Sequence, residues 1–103
     1  MEKITFDFNN KTAVITGGAQ GFGLDIAKRF LKSGAKVIIW DIDPKMIEKC
    51  VKDLDHLNLS SNIVDVSNYK EVESCANKIM ENSNIDILIN NAGITGPTAS
   101  LWE

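Results

Sequence analysis

With 103 residues the chain is long enough for one domain with its own core, and short for an enzyme. Apolar residues at 44%, charged residues at 24% and only two prolines exclude a disordered or low-complexity chain. A net charge of −3, with basic residues scattered through helical stretches, excludes long-range attraction to nucleic acid, and apolar runs as short as Val37 to Trp40 exclude a membrane span of roughly 18 residues or more.

Taken in chain order, Lys11 to Thr16 is a β-branched apolar run broken by Gly17 and Gly18, the pattern of a buried strand entering a tight loop. From Gly23 the apolar positions Ile26, Ala27, Phe30 and Leu31 recur three and four apart and predict a helix that stops at Gly34. Lys36 to Asp41 is a second buried strand ending on an acid. Pro44 then suits a first helical turn, and Ile47, Cys50, Val51 and Leu54 form the apolar face of a second helix. A short third strand is expected over Asn62 to Asp65. Ser67 reads as the N-cap of a third helix whose stripe is Val72, Cys75, Ala76 and Ile79, with Tyr69 in its first turn. Ile85 to Asn90 is the fourth strand, its aliphatic run predicting burial on both faces.

Strands alternating with helices of roughly 10 to 14 residues predict right-handed crossovers in an α/β, doubly wound parallel sheet of the Rossmann type, with order 3-2-1-4. Residues 1–103 are read as a single dinucleotide-binding domain, incomplete at its C-terminus. Cys50 and Cys75 form no CxxC pair and are assigned structural roles, and His56 is read as a surface or turn residue, so no metal site is expected. The N-terminal MEKITFDFNNK lacks the basic, apolar and small-residue regions of a signal peptide, which makes the cytoplasm the expected location.

The chemistry concentrates between the first strand and first helix, in Gly17-Gly18-Ala19-Gln20-Gly21-Phe22-Gly23. Gly17 permits a backbone angle that other residues resist, Gly21 lets the backbone approach a ligand, and Gly23 lets the helix pack closely. Such a loop offers helix-terminal N–H groups to a pyrophosphate at the positive end of the helix dipole. Asp41, 20 positions after Gly21, ends the second strand where an acid can accept both ribose hydroxyls of an adenosine. A carboxylate there repels a 2′-phosphate, and neither Gln20 nor Ile42 offers a cation to bind one. NAD is therefore favoured over NADP.

Thr16-Gly17-x-x-x-Gly21-x-Gly23, together with Asn90-Asn91-Ala92-Gly93 after the fourth strand, resembles the short-chain dehydrogenase/reductase family from about Lys11 onward. The resemblance implies that the backbone of Gln20 and Phe22 lies along the pyrophosphate, and that Asp65 and Val66 contact the adenine through a carboxylate and an amide. It also implies that Asn90 and Asn91 tie the fourth strand to its neighbours, while Ala92 and Gly93 pass the cofactor ribose. The residues themselves leave two other readings open: Asp65 as a cap for the third helix, and the asparagines as two buried amides satisfied for stability.

Within that family the chemistry is carried by a Ser, a Tyr-x-x-x-Lys pair and a helical Asn. The only tyrosine here is Tyr69, and Glu73 stands four residues on, so no catalytic residue is expected in this chain. The family implies an oxidoreductase moving hydride between nicotinamide and a carbonyl or alcohol substrate, with similarity to 3-oxoacyl-[acyl-carrier-protein] reductases and sugar-acid dehydrogenases. A non-catalytic nucleotide-binding remnant is the alternative. Small-molecule substrates and association with further copies of the chain are the expected partners, with neither nucleic acid nor membrane among them.

Overall fold

The computed structural model describes residues 7–91. Seven elements alternate along the described residues: β1 (Thr12–Thr16), α1 (Gly21–Lys32), β2 (Lys36–Asp41), α2 (Pro44–Leu54), β3 (Leu59–Ile63), α3 (Tyr69–Met80) and β4 (Ile87–Asn90). The four strands form one sheet of order β3-β2-β1-β4, and every pairing is parallel. This is the doubly wound arrangement expected from the sequence.

The period of two along the strands sorts side chains to two faces. Ile15, Val37 and Ile39 point to one side, where they pack with Ala27 and Leu31 of α1 and with Ile47 and Cys50 of α2. Val14 and Trp40 point to the other, where Val64, Val72 and Ala76 cover them. β1 is buried at every position, as a central strand between two helical layers should be. Burial pushes the Cys50 thiol above its ordinary range, with Asp53 and Asp41 adding to the shift and Lys28 opposing it. That thiol is a small, inert core group, as the sequence suggested.

Several boundaries differ from the sequence reading, each for a local reason. The third strand is Leu59–Ile63 rather than Asn62 to Asp65, because its register with β2 runs from Val37↔Leu59 to Asp41↔Ile63. As an edge strand it tolerates Ser60, Ser61 and Asn62, which concealed it from an apolar-run criterion. The N-cap of α3 is Asn68, whose side chain accepts from the amides of Lys70 and Glu71, and not Ser67, which is drawn instead to Asp65.

β4 starts at Ile87, since Asp86 is engaged otherwise: its carboxylate accepts from the Thr12 amide at 2.9 Å while its own amide donates to the Thr12 carbonyl. Ile87, Leu88 and Ile89 are half-buried rather than covered on both faces, because β4 pairs only with β1 among the described residues. Val51, assigned to the apolar face of α2, is exposed; Ile47 and Cys50 carry that contact. His56 lies in the α2–β3 turn, its Nδ1 accepting from the Asn58 amide.

Candidate functional site

β1 ends, and the chain turns sharply at Gly17, with φ of +63°, and again at Gly21, with φ of +62°. Non-glycine residues resist both angles. Space is open where a side chain at Gly21 would stand. Gly23 is the opposite case: a Cβ there would collide with the Gly17 carbonyl and lie 2.7 Å from Nδ2 of Asn91 and 2.8 Å from Cα of Gly18. The close approach that Gly23 permits is therefore to the loop backbone and Asn91 rather than to the sheet face. Gly18 packs inward against Ile15 and Ile39.

The start of α1 is unlike the other helix starts. α2 is capped by the Asp43 carboxylate, which accepts from the Lys45 and Met46 amides, and α3 is capped by Asn68. α1 has Gln20 at its N-cap with no side-chain hydrogen bond. Helix-terminal amides need acceptors, and their dipole prefers an anion. Here the amides open onto a groove of about 450 Å³.

Asp41 lines the same groove. It is 8% exposed and holds the loop in place, with Oδ2 accepting from the Ala19 amide at 3.3 Å and Oδ1 from the Asp43 amide at 3.2 Å. A carboxylate with two such bonds still has lone pairs for two hydroxyl donors. The Gly17 amide donates to the Trp40 carbonyl at 2.7 Å, fastening the loop to β2.

Asp65 and Val66, which follow β3, line the groove as well, together with Val64. The Ser67 hydroxyl and amide both donate to Asp65 Oδ1, at 2.6 and 2.9 Å, and hold its carboxyl below the usual carboxylate range. Asp65 does not cap α3. On the β4 side, Asn91 donates its amide to Thr16 Oγ1 at 2.9 Å and its Nδ2 to the Gly17 carbonyl at 3.3 Å, while Thr16 Oγ1 donates to Oδ1 of Asn90 at 3.0 Å. These bonds tie β4 to β1 and to the loop. Asn90 is exposed rather than a buried amide, and Asn91 is half-buried.

Of the site residues named from sequence, Gly17, Gln20, Gly21, Phe22, Asp41, Ile42, Asp65, Val66 and Asn91 line this one groove. Gly18, Gly23 and Asn90 support it from behind or from the side, and Ala92 and Gly93 lie outside the described residues. Trp40 and Val64 also line the groove and were not anticipated as site residues. Their position one residue before Asp41 and Asp65 is the signal that could have found them. Trp40 is fully buried, its Nε1 donating to Asn62 Oδ1 at 3.2 Å. Among the described residues the lining holds two carboxylates and no lysine or arginine.

A parallel sheet of order 3-2-1-4 with a glycine loop between its first strand and helix defines a Rossmann-type fold, with its groove at the carboxyl ends of the strands. The chain belongs to the short chain dehydrogenase family, whose model matches residues 11–102. The family is one of oxidoreductases that use a nicotinamide cofactor, NAD or NADP. The 3-oxoacyl-[acyl-carrier-protein] reductase FabG of Chlamydia pneumoniae is 42% identical over 88 residues, which cover 82% of this chain and 36% of that protein.

Among solved structures, 2-keto-3-deoxy-D-gluconate dehydrogenase from Streptococcus agalactiae aligns with a TM-score of 0.78 at 32% identity, covering 96% of this chain and 38% of that one. The Pseudomonas aeruginosa RhlG/NADP active-site complex aligns with a TM-score of 0.77 at 30% identity, covering 87% and 37%. The chain thus spans little more than a third of the length of these relatives. Among the described residues no helix is long and apolar enough to cross a membrane.

Proposed function

We propose that this chain is the NAD-binding part of a short-chain oxidoreductase that moves hydride between nicotinamide and a carbonyl or alcohol carbon. The observation that carries the reading is the start of α1, without a side-chain cap, lining one groove together with Asp41. The helix amides accept a pyrophosphate, and Asp41 accepts the adenosine ribose hydroxyls. Asp65 and Val66 flank the adenine, and Ile42 packs against it. The chain's own residues bind and orient; the cofactor supplies the hydride chemistry.

NAD is favoured over NADP because Asp41 sets a carboxylate at the ribose and the groove lining holds no lysine or arginine among the described residues, although a relative's structure is an NADP complex. The names of the relatives support a 3-oxoacyl thioester or a sugar acid as substrate of the whole protein. Because Tyr69 is the only tyrosine and Glu73 follows it at the Tyr-x-x-x-Lys spacing, these residues alone are not expected to turn over substrate.

Calorimetric titration of the folded chain tests the reading. Saturable binding of NAD is expected, with NADP weaker by at least about tenfold from charge repulsion at Asp41. Asp41→Ala should weaken NAD and narrow that gap. A folded chain that binds neither dinucleotide overturns the proposal.

A further inference from the structure

α1 and α2 cover the same face of the sheet, α1 resting on β1 and β2 and α2 on β2 and β3. Residues of both helices line a second cavity, of about 300 Å³. Its floor is apolar: Cys50 is buried, and Leu24, Met46 and Leu54 are half-buried in the same core cluster. Lys28 of α1 and Lys49 of α2 also line it, both exposed, and Asp53 is the one carboxylate in the lining among the described residues. The Lys28 charge is felt at the floor, where it opposes the rise that burial and Asp53 impose on the Cys50 thiol. Among the described residues neither lysine is ion-paired.

An apolar floor favours a ligand with an apolar body, and two cations against one carboxylate favour a negative head over a positive one. The dinucleotide groove has the reverse balance, with two carboxylates and no lysine or arginine among its described residues. Met46 adds an unbranched, adaptable side chain to the floor. We infer that the cavity between α1 and α2 is a second binding site, for a small amphiphilic carboxylate of the medium-chain fatty acid class, its tail on Met46 and Leu54 and its head at Lys28 and Lys49. Gln20 and Gly21 line both cavities, so such a ligand lies beside the glycine loop. The site stands or falls without the nucleotide reading, because its test contains no dinucleotide.

Octanoate, octanol and octylammonium share one tail and differ in the charge of the head, so titrating the full chain with each separates the two contributions. The methionine methyl resonances locate the ligand: Met46 lines the cavity, whereas Met80 belongs to α3 on the other face of the sheet. Octanoate is expected to shift the Met46 signal saturably, to leave Met80 in place and to bind more tightly than the other two. Lys28→Met and Lys49→Met, exposed changes that keep an apolar stem, should each weaken octanoate about two- to fivefold, the scale of an exposed ion pair, with octanol unaffected. Lys28→Glu combined with Lys49→Glu should transfer the preference from octanoate to octylammonium.

Three results overturn the inference while leaving the nucleotide reading intact. One is octylammonium binding as tightly as octanoate to the unmodified chain. Another is octanoate affinity unchanged in both lysine-to-methionine variants, which would put the anion somewhere without these lysines. The third is no saturable shift at Met46, or an equal shift at Met80, the mark of general adsorption rather than a site.

Discussion

Gly23 sits where three parts of the site meet: the Gly17 carbonyl, the Gly18 backbone and the Asn91 amide group. A methyl group there has no flexible side-chain end to displace on two of its three sides. Gly23→Ala is therefore expected to cost about 1–3 kcal/mol of stability, the scale of an overpacked site, and to weaken nucleotide binding by displacing the loop. Urea denaturation and dinucleotide titration of the same variant check both effects, and an unchanged denaturation midpoint would contradict the packing account. That Gly23 serves a close approach was legible from its spacing alone. Which atoms it approaches was not, because Asn91 comes from the other end of the chain and arrives only through the β1–β4 pairing. The choice between Ser67 and Asn68 as cap was equally hidden, since both residue types cap helices well and only the competing grip of Asp65 decides it.

At the scale of elements, the three helix starts separate structural from functional design. Asp43 and Asn68 satisfy the first-turn amides of α2 and α3 from within the chain, whereas α1 leaves the task to something else. Supplying the missing cap should reverse that allocation. Gln20→Asp places a carboxylate at the N-cap of α1 and is expected to stabilise the fold by about 0.5–1 kcal/mol. The same charge would occupy the anion position and repel a pyrophosphate, so dinucleotide affinity should fall while the melting temperature rises. Loss of both together would point to simple misfolding instead. The central strands and α1 were readable because their apolar residues keep a strict period; β3 was misplaced because its stability comes from pairing with β2 at an edge, which leaves no apolar signature.

On the whole-molecule scale, the two core layers are unequal at the β4 side. β1 is buried throughout, while the aliphatic residues of β4 remain half-buried and its outer edge has no partner among the described residues. Unpaired apolar edges promote association. A solution of these 103 residues is expected to sediment as more than one species with a concentration-dependent melting transition; a sharp, reversible, concentration-independent transition from a monomer would count against it. The sequence made the aliphatic character of β4 plain, but treated it as evidence of burial on both sides.

The bond between Thr12 and Asp86 joins residues 74 positions apart, and the Asn91 bonds to Thr16 and Gly17 span as much of the chain. β1 emerges first during synthesis and becomes a central strand only after β4 docks, so the loop that forms the groove receives its last supports at the end of folding. Closing so long a loop delays the reward from its contacts. Ligand-binding competence should thus appear in the slowest refolding phase, after the β1–β2–β3 half of the sheet has already formed.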